Sequence, residues 1–252
     1  MTVDLIRLTD GPREVAVLVY AARRPRSIAI VAGHGYSSSK QNLDALCSFL
    51  ASHGFAVYSI DFPGHKLGAS GGVLHGVEDL VAAMRSTIAR ARADGFATVY
   101  VLGHSMGAMT ALITSSRDPS LAGVISIATG LGRPAALQAL EAKGTVDLRS
   151  SYVEGATLAA IVTDADPLLR EAVPALRHRP VLFIAAERDM MVARSSVEAL
   201  AALAGAEHAI VSVASDHTYA GENSRSAVLA WLNSRHPRAA GPLAAMAAEV
   251  SP

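Results

Sequence analysis

The stretch that decides the fold is Val99-Tyr100-Val101-Leu102-Gly103-His104-Ser105-Met106-Gly107. Its apolar first half is typical of a buried strand. The Gly-x-Ser-x-Gly pattern that follows is typical of a nucleophile elbow, in which a strand reverses sharply into a helix around a serine. Small residues are needed on both sides of Ser105 because the turn is tight. The pattern therefore predicts that the Ser105 hydroxyl opens at the carboxyl edge of a sheet.

Short apolar segments recur along the chain, and they predict the sheet. They occupy residues 28–31, 56–60, 98–102, 123–127, 181–185 and 209–213. Runs of this length are typical of strands that are buried on both faces. Most of them are separated by stretches with apolar residues at three- and four-residue spacing, which is the helical period. Residues 3–8 and 14–20 alternate apolar and polar side chains and predict an opening strand pair. We expect an α/β fold, with a mostly parallel central sheet covered by helices on both faces.

The segment 130–177 breaks this alternation and predicts a small helical lid. It has helix-like patches at 135–142 and 155–162 but no clear buried strand, and Pro167, Pro174 and Pro180 punctuate its end. We expect it to project above Ser105 from a core formed by residues 1–129 and 178–252. The tail beyond about residue 237 is rich in alanine and proline, and we expect it to fray or to dock as a short helix.

Composition narrows the class of protein. A chain of 252 residues with 51% hydrophobic content can build one sizeable core. Its 22 basic and 22 acidic residues give no net charge, which argues against a nucleic-acid partner. There is no signal-peptide pattern and no apolar run of about 18 residues, so we expect no membrane partner. The single cysteine, Cys47, lies on the apolar face of a predicted helix, and a cytoplasmic setting fits best. No histidine spacing suggests a metal, and no cofactor is expected.

Two further residues suit nucleophilic catalysis by a serine. A serine hydroxyl needs a base that takes its proton, and the base needs a carboxylate that orients it. His217 follows the last apolar segment, and Asp189 follows the segment at 181–185. Both therefore sit at the carboxyl ends of predicted strands, where ligands bind in open α/β sheets. Glu187 and Asp216 are alternative acids, although Asp216 is adjacent to His217 and neighbouring side chains of an extended loop point apart.

A second motif, Gly33-His34-Gly35-Tyr36, follows the segment at 28–31. Acyl transfer builds negative charge on a carbonyl oxygen, and fixed backbone N–H groups stabilise that charge. The glycines allow the main chain to approach the oxygen closely. We expect the backbone N–H groups of Met106 and Tyr36 to be these donors. We expect the His34 ring to hold the loop in place and to take no part in the chemistry.

Together with Asp61-Phe62-Pro63-Gly64-His65, these motifs resemble the α/β-hydrolase superfamily. The resemblance is greatest to its branch of serine aminopeptidase-like lysophospholipases, monoacylglycerol lipases and bacterial cinnamoyl or feruloyl esterases. It covers essentially the whole chain outside the lid. It implies Ser105 as nucleophile, His217 as base and Asp189 as the orienting acid. It also implies an oxyanion hole formed by the Met106 and Tyr36 N–H groups, the Gly33-His34-Gly35 loop supporting it, and an elbow built on Gly103, His104 and Gly107.

The chain departs from the family in one loop. Many relatives continue with Gly-His-Gly-x-Ser, whereas this sequence reads Gly64-His65-Lys66-Leu67-Gly68-Ala69-Ser70-Gly71-Gly72. The loop is longer and has a lysine where glycine is common. Its contribution to the rim of the pocket is therefore open. We expect Lys66 to be exposed to solvent and not to contact an anionic substrate.

The leading functional hypothesis is hydrolysis of a small-molecule carboxylic ester or thioester, with a small-to-medium acyl group and an acyl-enzyme intermediate. The same three residues serve C–C bond hydrolases, lactonases and acyl-transferring or cyclising biosynthetic enzymes. A non-catalytic ligand receptor on the same fold is a hypothesis of another class. The substrate's acyl and leaving groups and the oligomeric state stay open. Five apolar residues of the lid either line an acyl pocket or pack the lid onto the core: Leu131, Leu137, Leu158, Ile161 and Leu168.

Overall fold

The computed structural model describes residues 1–11, 13–132, 149–205 and 208–237. Within these residues eight strands form one sheet, in the order β1-β2-β4-β3-β5-β6-β7-β8. Their bounds are β1 (Thr2–Asp10), β2 (Arg13–Ala21), β3 (Ile28–Gly33), β4 (Ala56–Ile60), β5 (Thr98–His104), β6 (Gly123–Ile127), β7 (Val181–Ala186) and β8 (His208–Val213). The first two strands are antiparallel, β2 is antiparallel to β4, and the remaining pairs are parallel. The predicted α/β class is confirmed.

Helices cover both faces of this sheet. Their bounds are α1 (Asp44–Ser52), α2 (Val77–Ala93), α3 (Met106–Arg117), α4 (Leu158–Ala175), α5 (Arg194–Ala201), α6 (Ala220–Asn223) and α7 (Arg225–Arg235), with a 3-10 turn at Lys40–Leu43. The apolar faces of α2, α3, α4 and α5 pack on one side, and those of α1 and α7 on the other. Cys47 is fully buried in the second of these layers, as predicted. No helix in the described part of the chain is both long and apolar enough to cross a membrane.

Parallel pairing brings the predicted site residues to one edge of the sheet. β3 ends at Gly33 and leads into the glycine-rich loop, and β5 ends at His104, directly before Ser105. β7 ends three residues before Asp189, and β8 ends four residues before His217. Because β3, β5, β6, β7 and β8 all run in the same direction, these loops emerge on one side of the molecule.

Helix α4 differs from the prediction for the lid. The sequence predicted a short helix at 155–162, whereas α4 continues to Ala175 through Pro167 and Pro174. Thr157 caps its N-terminus, because the Thr157 side chain accepts a hydrogen bond from the Ala160 N–H. Both prolines lie on the exposed side of the helix, where the carbonyl groups they leave unbonded can be hydrated. The predicted patch at 135–142 lies outside the described residues, and the division into core and lid stays a prediction.

Candidate active site

The turn at Ser105 is too tight for a side chain at either Gly103 or Gly107. Ser105 has φ 53° and ψ −116°, and its N–H donates to Ile127 O at 2.8 Å, which continues the pairing of β5 with β6. A Cβ on Gly103 would lie 2.0 Å from the carbonyl carbon of Gly107. A Cβ on Gly107 would lie 2.1 Å from the carbonyl oxygen of Gly33. Helix α3 therefore starts in direct backbone contact with the glycine-rich loop.

Ser105, His217 and Asp189 form a continuous hydrogen-bonded line. His217 Nε2 lies 3.1 Å from Ser105 Oγ, and His217 Nδ1 lies 2.8 Å from Asp189 Oδ2. The other oxygen of Asp189 accepts hydrogen bonds from the N–H groups of Met191 and Val192, both at 2.8 Å. The Asp189 side chain is 1% exposed and that of His217 is 14% exposed. The three predicted residues thus meet, with the serine and histidine open to a cavity.

The charge of Asp189 is stabilised by these contacts. Burial alone would raise the pKa of this carboxyl, but the hydrogen bond and electrostatic interaction with His217, together with the two backbone N–H groups, hold the pKa below its usual value. The carboxylate is therefore anionic at neutral pH and orients the Nδ1–H of His217. Among the described carboxylates, Asp189 alone bonds this ring; Glu187 is exposed, and Asp216 accepts from the N–H of Tyr219.

The N–H groups of Met106 and Tyr36 are free to bind an oxygen. Within the described ranges neither donates to a protein acceptor. Met106 is the first residue of α3, so its N–H lies at the positive end of the helix dipole. A Cβ on Gly35 would lie 3.5 Å from the Cβ of Ser105, which shows how closely the loop approaches the elbow. The Tyr36 hydroxyl donates to Ala156 O at 3.0 Å and joins this loop to the segment before α4.

His34 joins the glycine-rich loop to the end of β4. Its side chain is completely buried. The ring lies 2.7 Å from Gly35 O through Nδ1, and its Nε2 accepts the Phe62 N–H at 3.1 Å. These partners define the tautomer as Nδ1–H. Burial, followed by the nearby His65 ring, lowers the pKa of His34 well below its usual value, so the ring is neutral. Its contacts are all to the protein itself.

His104, the variable residue of the elbow, contacts the loop that holds His217. Its Nε2 lies 2.8 Å from the backbone oxygen of His217, and the two rings are 4.9 Å apart. Burial, with a further contribution from His217, lowers the pKa of His104 to about 4. The neutral ring therefore donates through Nε2–H. Sequence reasoning missed this contact because a variable motif position carries no signal for it.

A buried ion pair between Lys40 and Asp61 lies beside the glycine-rich loop, since Asp61 Oδ1 is 3.9 Å from His34 Nε2. Asp61 also accepts the N–H of Lys40 at 2.7 Å and the N–H of Ala69 at 2.7 Å. A Cβ on Gly68 would lie 2.7 Å from the Asp61 carboxyl group, so the unusual loop packs tightly on this pair. Asp61 lies in the motif noted above, whereas Lys40 gave no sequence signal. Lys66 is half-exposed and pairs with Glu154 at 3.2 Å.

Two cavities meet at Ser105 and His217. The first, of about 700 Å³ including its open mouth, lies between α3, α4 and the loops after β6 and β7. Its apolar wall is formed by Met106, Met109, Leu131, Leu158, Ile161 and Leu169. Of the lid residues predicted to line a pocket, Leu131, Leu158 and Ile161 do so. Leu168 lies outside both of these cavities and packs against the core, and Leu137 lies outside the described residues. The second cavity, of about 890 Å³, opens towards residues 37–42 and Arg149.

The described residues contain no group of three histidine, cysteine, aspartate or glutamate side chains that could hold a metal ion.

A strand–serine–helix elbow on a sheet of this order, with a histidine and an acid after the last two strands, defines an α/β hydrolase. Residues 24–171, more than half of the chain, match the model of the serine aminopeptidase S33 family. The chain belongs to this family and is a serine hydrolase of the α/β-hydrolase fold. No curated protein matches the sequence.

Solved structures show the same fold at low sequence identity. Est1E from Butyrivibrio proteoclasticus, solved with ferulic acid bound, is 14% identical with a TM-score of 0.73, covering 92% of this chain and 100% of that one. The Pyrococcus furiosus esterase Pf2001 is 17% identical with a TM-score of 0.70, covering 92% of each chain. A thioesterase domain from the curacin biosynthetic pathway is 14% identical with a TM-score of 0.64, covering 91% of this chain and 98% of that domain. The resemblance inferred from the motifs is confirmed.

Proposed function

We propose that the protein hydrolyses carboxylic esters or thioesters of small or medium-sized acyl groups through an acyl-enzyme at Ser105. The observation that carries the proposal is the hydrogen-bonded line from Asp189 through His217 to Ser105 Oγ, which ends where the two cavities meet. Membership of a serine hydrolase family supports the same chemistry.

In the first half-reaction His217 acts as a general base. Its Nε2 takes the proton of Ser105 Oγ while that oxygen attacks the substrate carbonyl. Asp189 stabilises the resulting imidazolium through Nδ1–H and keeps the ring in this tautomer. The tetrahedral intermediate then collapses. The bond between its central carbon and the oxygen or sulfur of the leaving group breaks, and Nε2–H protonates that atom to give the free alcohol or thiol.

The second half-reaction repeats these steps with water. His217 takes a proton from a water molecule, the hydroxyl oxygen attacks the acyl-serine, and the returned proton regenerates Ser105 Oγ–H as the acid leaves. In both halves the negative charge on the carbonyl oxygen is stabilised by the Met106 and Tyr36 N–H groups. Loss of one such donor typically costs about 3–4 kcal/mol of transition-state stabilisation.

The two cavities suit the two parts of an ester. The apolar wall formed by α3 and α4 suits an acyl chain or an aromatic acyl group. The second cavity is lined by hydroxyl and amide side chains, among them Ser37, Ser38 and Asn42, and suits a more polar leaving group. We assign the acyl group to the first cavity and the leaving group to the second.

Turnover of p-nitrophenyl esters from acetate to decanoate tests the proposal, with Ser105→Ala as the control. We expect a maximum at one chain length and a loss of at least about a thousandfold in the variant. Mass spectrometry of the products should detect the free acid, because water and not a second alcohol accepts the acyl group. If the folded protein hydrolyses neither an ester of this series nor the thioester S-butyryl-N-acetylcysteamine, or if Ser105→Ala retains most of the activity, the proposal is wrong.

A further inference from the structure

The second cavity has an excess of positive charge where the leaving group would lie. Among its described lining residues Arg149 is a permanent cation, and none is a carboxylate. The apolar cavity differs, because its lining includes the carboxylate of Asp166, which is occupied by the Gly132 N–H and by Arg170. The two sides of Ser105 therefore present different charge to a substrate.

The guanidinium of Arg149 is available to a ligand. Its side chain is exposed at the cavity, and no described carboxylate pairs with it. Both lysines in the described part of the chain are already paired, Lys66 with Glu154 and Lys40 with Asp61. Arg149 therefore offers a planar set of N–H donors, a geometry that matches the oxygens of a carboxylate or a phosphate.

Uncharged groups beside Arg149 add to this preference. The Ser38 hydroxyl is buried and has no hydrogen-bond partner among the described residues. It lines the same cavity as Asn42 and Tyr152, whose side chains also carry N–H or O–H donors. An anionic ligand in this cavity can therefore receive hydrogen bonds from the Asn42 amide and the Tyr152 hydroxyl as well as from Arg149.

Building on the proposed function, we propose that the leaving group of the substrate carries a carboxylate or phosphate group that Arg149 binds in the second cavity. The acyl carbon then lies at Ser105, between the apolar cavity and an anion-binding cavity. The anion leaves with the alcohol or thiol in the first half-reaction, so Arg149 contributes to substrate binding and not to hydrolysis of the acyl-enzyme.

The test compares substrates that share an acyl group and differ in charge. One pair is 4-nitrophenyl butyrate and 3-carboxy-4-nitrophenyl butyrate, which isolates a carboxylate. The other is S-butyryl-pantetheine and S-butyryl-4′-phosphopantetheine, which share the thioester and the pantetheine arm and differ by one phosphate. We expect kcat/KM to favour the anionic member of at least one pair by about tenfold, mainly through KM, a size typical of a hydrogen bond to a charged group.

Substitutions assign the preference to Arg149. Arg149→Gln should bring the ratio of the two kcat/KM values close to one, and Arg149→Lys should retain part of the preference. The matched control is Arg90→Gln, since Arg90 is also exposed but pairs with Asp94 at the far end of α2. This control should leave the ratio unchanged.

The outcomes distinguish a carboxylate from a phosphate, and they distinguish failure of the anion site from failure of the proposed function. Preference only in the first pair supports a carboxylate leaving group, and preference only in the second supports a phosphate-bearing thiol. If the neutral esters are hydrolysed with no preference in either pair, or if a preference survives Arg149→Gln, the anion site is refuted and the proposed function stands. If no member is hydrolysed at all, both proposals fail.

Discussion

The backbone of Ser105 has a positive φ that residues with a Cβ rarely adopt. Such a conformation costs about 1–3 kcal/mol and persists because the packing of Gly103 and Gly107 enforces it. Ser105→Gly and Ser105→Ala both remove the hydroxyl, but only the glycine variant relieves the strain. We expect Ser105→Gly to be the more stable by about 1 kcal/mol, after the entropic cost of glycine. Denaturant unfolding of both variants measures this difference, and greater stability of the alanine variant would contradict it.

Asp189 fixes the orientation and tautomer of the His217 ring through its carboxylate. Asp189→Asn replaces the oxygen that faces His217 Nδ1 with an amide that can donate a hydrogen bond, which favours the wrong tautomer of the ring. We expect kcat to fall by about a thousandfold or more. Glu187→Gln is the matched control, because Glu187 is exposed two residues earlier, and its kcat should change less than about twofold. Steady-state kinetics on one p-nitrophenyl ester compares them, and the opposite ranking would reassign the acid.

Some residues of the site can be predicted from the sequence, whereas the contacts that support them cannot. Ser105 lies in a motif whose glycines are required by the turn, and His217 and Asp189 follow apolar runs that mark strand ends. His104 and Lys40 act through contacts with residues far away in the chain, 113 and 21 positions respectively. A local pattern has no information about such partners. The sequence therefore predicted the residues now brought together around Ser105 but not the contacts that support them.

At the scale of elements, the strands were predicted more accurately than α4. Runs such as 123–127 are apolar throughout because both faces of a central strand are buried. Helix α4 contains Pro167 and Pro174, which local rules interpret as breaks. Its buried face, which includes Ile161 and Leu169, packs against α3, and this burial outweighs the hydrogen bonds lost at the prolines. Tertiary packing thus decided the length of the helix.

Helix α4 also gives a prediction about substrate size. Ala165 is buried and lines the apolar cavity between α3 and α4. Ala165→Leu fills part of that space, so we expect the preferred p-nitrophenyl ester to shorten by about two to four carbons, in proportion to the added side-chain length. Ala172→Leu is the control: it is buried on the same helix but lines a different pocket. The chain length of the best p-nitrophenyl ester should shorten for Ala165→Leu and stay unchanged for Ala172→Leu. An unchanged optimum for Ala165→Leu would mean that the acyl group does not bind in this cavity.

At the scale of the whole molecule, three buried histidines near the active site make the stability of the fold depend on pH. Burial lowers the pKa values of His34, His65 and His104 below their usual value. Above the unfolded value of about 6.5 these rings are neutral in both states and leave the free energy of unfolding unchanged. As the pH falls below that value the unfolded chain binds protons that the folded protein excludes. The free energy of unfolding must therefore decrease with falling pH, until the folded rings also become protonated.

His104 allows this linkage to be measured one group at a time, because its pKa is lowered to about 4. A depression of that size corresponds to a loss of stability on the order of 3 kcal/mol between about pH 6.5 and pH 4. His104→Gln removes the titration and retains an N–H donor for the His217 carbonyl. The variant should therefore lose less stability than the wild type as the pH falls, and the difference between them should reach about 1–2 kcal/mol by pH 5. Denaturant unfolding at pH 7, 6 and 5 gives both curves. Because the carboxylates are common to both proteins, their contribution cancels in the comparison, and parallel curves would mean that the pKa of His104 is not lowered in the folded protein.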